Sequence, residues 1–191
     1  MIVQVQHRPS YALAVAQLEP NEPIYVEAGS MVGMSADMRV ETKARGGLLK
    51  SLARSMLGGE SFFINTYRAA SAGGSVMLAP ALPGDIVVHS MQDETLLVQS
   101  GSYVASSEGV DVSTKWGGAK TFFAREGLIL LKVSGTGSLI LSSYGAMEEM
   151  ELEAGESYTV DTGHLVAFGD QLGFEVRRVG GLKSTLFSGE G

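Results

Sequence analysis

The chain has 191 residues, 45% hydrophobic and 18% charged, with 25 glycines, no cysteine and a formal net charge of −7. That length holds one domain, or a set of fused small repeats, with a core that needs no disulfides. The missing cysteine excludes thiolate zinc sites, thiol nucleophiles and redox pairs, and low charge with abundant glycine points to a turn-rich β protein rather than a disordered one.

Met1 to Ser10 carries His7, Arg8 and Pro9 and no apolar segment of the secretory type. The uncharged stretch from Ala69 to Gly84 is interrupted by Gly73, Gly74, Pro80 and Pro83, and it is shorter than the ~20 residues a bilayer helix needs. The expectation is a cytoplasmic chain, soluble or peripheral to a membrane. Tyr11, Leu13 and Val15 alternate with Ala12, Ala14 and Ala16, the two-residue period of a half-buried strand. Val110 and Val112, and Phe174 and Val176, continue that pattern, and turn clusters such as Pro83-Gly84-Asp85, Gly135-Thr136-Gly137 and Ala154-Gly155-Glu156 separate the strands.

An internal repeat organises the chain. Leu18–Glu41 aligns with Leu152–Glu175 without a gap at 7 identities in 24, and Glu22–Lys43 aligns with Glu94–Lys115 at 9 in 22. Four positions agree in all three copies: Glu22, Glu94 and Glu156; Val26, Val98 and Val160; Gly29, Gly101 and Gly163; Val32, Val104 and Val166. A glycine held between two valines reads as strand, tight turn, strand, with positive φ at the glycine. Each repeated glutamate is expected to accept backbone N–H bonds at its own turn. The resulting expectation is an all-β single domain over 1–191, an antiparallel β-sandwich or prism of three repeats (approximately 11–70, 75–130 and 135–191) with a double-stranded-β-helix-like character.

One segment breaks the pattern. Leu48, Leu49, Leu52, Ala53, Met56 and Leu57 fall at helical spacing between Gly46-Gly47 and Gly58-Gly59, with Lys50, Ser51, Arg54 and Ser55 on the opposite side. The spacing predicts a short amphipathic helix near 48–57. From Arg39 to Arg68 six basic residues face two acidic ones, net +4, which leaves −11 for the rest. Ten helical residues are marginal alone, so the apolar face must dock on its own core, a sister subunit or an anionic membrane surface. Leu48, Leu49, Lys50, Leu52, Arg54, Met56 and Leu57 are the candidate contact residues.

Catalytic chemistry is not legible. His7, His89 and His164 show no metal-ligand spacing, and Pro83-Gly84-Asp85 with His89 matches only half of a cupin-type metal signature. Gly46-Gly47-Leu48-Leu49-Lys50-Ser51 lacks the glycine a phosphate loop places before its lysine, and no Gly-x-Ser-x-Gly elbow occurs. His164 takes the place of Ser30 and Ser102 in the other repeats, which leaves His89 and His164 as the weak candidates for a ligand cleft between repeats. The acidic run Glu148, Glu149, Glu151, Glu153 and Glu156 reads as a solvated edge, Trp116 as a core-edge or interface aromatic, and the acidic chain disfavours nucleic acid.

Glu27-Ala28-Gly29-Ser30-Met31-Val32, Gly58-Gly59-Glu60-Ser61-Phe62-Phe63-Ile64-Asn65, Pro83-Gly84-Asp85-Ile86 and Val160-Asp161-Thr162-Gly163-His164 together resemble the altered-inheritance-of-mitochondria (mitochondrial biogenesis) family over nearly the whole chain. The resemblance implies a fold similar to the tryptophan RNA-binding attenuator protein, an internally duplicated all-β sandwich, and mitochondrial relatives linked to inner-membrane organisation. It brings no catalytic residues, and none here match that protein's ligand motifs. The functional expectation is a non-enzymatic, self-associating β scaffold, a homo-oligomer without cofactor and without nucleic acid, peripheral to a membrane through the basic helix. The alternative is a small-molecule ligand or metal binding module.

Overall fold

A computed structural model describes residues 1–41, 56–57, 60–61, 63–113, 122–123 and 128–176. The N-terminal part forms β1 (Ile2–Gln6), β2 (Leu13–Leu18), β3 (Pro23–Glu27), β4 (Met31–Met34) and β5 (Met38–Glu41). Then come the short β6 (Met56–Leu57) and β7 (Glu60–Ser61), followed by β8 (Ile64–Ala69) and β9 (Gly74–Leu78). The long β10 (Ile86–Gln99), β11 (Tyr103–Ser107), β12 (Val110–Ser113), β13 (Phe122–Phe123), the long β14 (Leu128–Ser142) and β15 (Ala167–Gly169) complete the order. All named strand pairs are antiparallel.

Among the described residues two open sheets and the two-stranded β6-β7 ribbon result. The small one runs β1-β2-β9-β4; the large one runs β15-β10-β14-β11-β3-β8-β5, with β12 and β13 also pairing to β14. Their facing sides enclose one core of Ala14, Ala16, Ile24, Val26, Val76, Leu78 and Ile140, among others. A second core, around Met91, Val98, Tyr103, Leu131, Val133 and Leu139, and a third, around Leu97, Leu128 and Leu130, lie elsewhere on the large sheet. Alternate residues of β14 therefore enter different cores, which is why its sequence, Leu-Ile-Leu-Leu-Lys-Val then Ser-Leu-Ile-Leu-Ser, is apolar on both faces.

The aligned stretches share local geometry. Asn21, Asp93 and Gly155 occupy one alignment position, each just before a repeated glutamate, and all have positive φ, 62°, 54° and 88°. Asn, Asp and Gly are the residues that tolerate this conformation. Ser35 Oγ accepts from Ser75 N at 3.1 Å, and the aligned Ser107 Oγ accepts from Ser138 N at 2.9 Å. In the first copy the turn containing Pro20 separates β2 from β3, and the two strands enter different sheets. The second copy has only a bulge between Gln92 and Glu94, so one continuous strand, β10, replaces the pair. In the third copy residues 146–161 form no strand, and only β15 follows its glycine.

Four expectations are corrected. Phe174 and Val176, expected in a strand, lie in irregular chain after β15, and Gly135-Thr136-Gly137, expected as a turn, lies inside the long β14, paired with Glu94, Gln92 and Met91 of β10. Positive φ at the repeated glycine holds for Gly29 (98°) but not for Gly101 or Gly163, which lie in 3-10 turns at Ser100–Ser102 and Thr162–His164. There the nearest neighbour is a side chain two residues back: a Cβ on Gly163 would stand 3.1 Å from Asp161 Oδ2, and one on Gly101 3.1 Å from Gln99 Oε1, contacts that those side chains would have to yield slightly to admit. The helix predicted near 48–57 is contradicted at Met56 and Leu57, which pair with Ser61 and Glu60 as a two-residue ribbon. Gly58-Gly59 between the paired residues is a dipeptide suited to a two-residue hairpin, and that local signal outweighs the helical period. Leu48, Leu49, Lys50, Leu52 and Arg54 lie outside the described residues, as does Trp116.

Candidate functional site

The most tightly knit polar cluster joins three distant pieces of chain at Pro83-Gly84-Asp85. Asp85 is 3% exposed at the mouth of the apolar strand β10, so its carboxylate must be paired to be tolerated. Arg8, from the β1–β2 connection, supplies the pair: its Nε donates to Oδ1 at 2.8 Å and its Nη2 to Oδ2 at 2.7 Å. Ile86 N also donates to Oδ1, at 2.8 Å. Hydrogen bonds from Arg8 hold the Asp85 carboxyl below the usual carboxylate range; burial opposes this, while the Ile86 N–H and the guanidinium charge assist.

The backbone closes the same cluster. Ala12 N donates to Gly84 O at 3.0 Å, Asp85 N to Gly145 O at 3.0 Å, Ser143 N to Asp85 O at 3.1 Å and Gly145 N to Pro83 O at 3.2 Å. A Cβ on Gly84 would overlap Ser143 O, at 1.7 Å, so no other residue fits. This hub presents three large side chains to solvent, Tyr11 at 74%, Leu82 at 60% and Tyr144 at 70% exposure, beside the half-exposed Arg8.

Other sequence-predicted residues fall as follows. His89 Nε2 lies 2.9 Å from Glu94 Oε1, both half-buried beside the β10 bulge. His164 is exposed in the 3-10 turn after Asp161. Gln99 N donates to Val166 O, so His164 lies near the Gln99 end of β10, whereas His89 lies near its Ile86 end. No group of three potential metal ligands occurs among the described residues. The repeated glutamates do accept backbone N–H bonds at their turns: Glu22 from Glu19 N at 2.8 Å, Glu94 from Gln92 N at 3.2 Å and Glu156 from Glu153 N at 3.0 Å.

Sequence reasoning missed Arg8, Tyr11, Leu82 and Tyr144, and the buried phenol of Tyr103. Tyr103 lies 0% exposed; its hydroxyl donates to Tyr25 O at 3.2 Å and sits 2.9 Å from Ser106 Oγ. Burial pushes its pKa far up, and the Ser106 bond opposes this. The available signal for Arg8 was Asp85 itself, a lone acid opening the apolar run Ile86-Val87-Val88.

Hub and repeats define an all-β protein of two packed antiparallel sheets with its chemistry in structural turns. The chain belongs to the mitochondrial biogenesis AIM24 family, whose model matches residues 3–191. A protein of Streptococcus pyogenes serotype M6, described as uncharacterised, is 28% identical over 189 residues, covering 95% of this chain and 75% of that protein. An X-ray crystal structure of a Streptococcus pyogenes protein has a TM-score of 0.79 and 25% identity, covering all of this chain and 86% of that one.

Proposed function

We propose that the chain is a non-enzymatic, self-associating β scaffold. The observation that carries this reading is the hub, where Tyr11, Leu82 and Tyr144 stand out from a backbone fixed by four cross-chain hydrogen bonds and a two-toothed Arg8–Asp85 pair. Tyrosine and arginine are the side chains that most often anchor protein interfaces, and a rigid platform lowers the entropy lost on contact. The test is the solution mass of the parent chain against a triple variant, Tyr11→Ser, Leu82→Ser and Tyr144→Ser, all three exposed positions, with circular dichroism to check that the variant keeps the fold. The parent should exceed 20.1 kDa and the variant should lose mass; equal masses would remove the hub as a contact. Membrane contact through Leu48, Leu49, Lys50, Leu52 and Arg54 rests on their basic and apolar sequence pattern alone, and binding to anionic vesicles tests it.

A further inference from the structure

The outward face of the small sheet points to a second contact, independent of the hub. Residues paired across neighbouring strands share a face, so the register gives outward rows Gln4–Val15–Met77–Gly33, Ile2–Gln17–Ser75 and Gln6–Leu13. In the opposite rows the central residues Ala14, Ala16, Val76 and Leu78 are fully buried. β2 thus turns Ala14, Ala16 and Leu18 into the core and leaves Leu13 and Val15, half-buried, beside the exposed Gln17 on its outer face. Two branched apolar side chains that keep part of their surface in water leave burial for a partner to complete. Val32, unpaired in the β4 bulge, adds a side chain 58% exposed, and Met77 is 38% exposed.

No residue of these rows is charged, although surfaces ordinarily carry roughly one charge in every three or four residues. We propose that this face pairs with the same face of a second copy, across a two-fold axis. Two observations favour a copy over a foreign partner. Each chain carries −7, and contact through an uncharged face keeps the carboxylates of two like-charged molecules apart. Glutamine both donates and accepts, so Gln4, Gln6 and Gln17 can satisfy their own symmetry mates around the apolar centre of Val15 and Met77, a self-complementary rim and core.

Four strands about 4.8 Å apart and five residues long give a footprint on the order of 300 Å², short of the ~800 Å² per partner of a standard interface. The sheet contact is therefore weak and dimeric, visible at high concentration. It goes beyond the hub contact and stands or falls separately from it.

Sedimentation equilibrium of the full chain over a wide concentration range tests it, using the hub triple variant as background so that only the sheet contact remains. The expected result is a mass rising from 20.1 kDa towards twice that value. Gln4→Glu, an isosteric change on an exposed edge position, should weaken this association about tenfold or more, with partial recovery in high salt. Val15→Lys should do the same. A hub variant that stays monomeric at every concentration overturns the sheet contact without touching the hub reading, and association indifferent to both Gln4→Glu and Val15→Lys overturns it equally.

Discussion

Replacing Asp85 by Asn tests the hub's physics most sharply, because the side chain keeps its shape and loses only charge and one acceptor. The carboxylate accepts from Arg8 Nε and Ile86 N at Oδ1 and from Arg8 Nη2 at Oδ2. An amide can keep its oxygen at the first position but must then present an N–H₂ to the Nη2 donor. One charge-assisted hydrogen bond, ordinarily worth about 1.5–3 kcal/mol, is replaced by a donor facing a donor. The full penalty for breaking a buried pair is larger, but the Arg8 side chain is 52% exposed and water can reach it. The expected loss is about 2 kcal/mol, or about 4–8 °C in midpoint for a domain of this size. Urea unfolding followed by circular dichroism measures it. The pH dependence gives a second check: the folded carboxyl titrates below its unfolded value, so its contribution is fully present above about pH 4 and is lost as pH falls through the depressed folded value. The gap between parent and Asp85→Asn should narrow in acid. A loss below about 0.5 kcal/mol at neutral pH, within the range of an ordinary surface change, or a gap that widens in acid, would refute the reasoning.

Tyr103→Phe leaves Ser106 Oγ and Tyr25 O without their buried partner and should cost about 1–2 kcal/mol in denaturant unfolding. In the parent, ultraviolet titration should show the Tyr103 phenol still protonated where exposed tyrosines ionise near pH 10; because its folded pKa is raised, stability should fall as pH climbs past that point. Leu139→Ala, at a fully buried β14 position, should lose about 2–5 kcal/mol by the same unfolding assay. Gly155→Ala should cost about 1 kcal/mol because it forces a side chain into positive φ, whereas Asp93→Gly at the aligned position should be neutral or stabilising once the lost Asp side-chain contacts are small; thermal melts of both variants separate the cases.

The sheet architecture was legible because its signals are local. Two-residue alternation marked β2, and glycine, proline and acid clusters marked the turns. The repeat alignment located positions where Asn21, Asp93 and Gly155 share one backbone conformation although their identities differ. The role of each repeated glutamate could be read because it lies within three residues of the N–H it accepts. The hub was not legible, since Arg8 and Asp85 are 77 residues apart in the chain and only the fold brings them together. Helical spacing misled at Met56 and Leu57, where a Gly-Gly dipeptide permits a ribbon and a strand pair forms. Alternation also cannot tell which side of a strand faces in: for β2 the side of Ala14, Ala16 and Leu18 does, and Leu13 and Val15 stay half-buried on the other.

Self-association is the claim on which the functional reading depends, and light scattering coupled to size exclusion on the unmodified chain addresses it directly. A scaffold should give a weight-average mass above 20.1 kDa that grows with loading concentration. A mass fixed at the single-chain value throughout would contradict it.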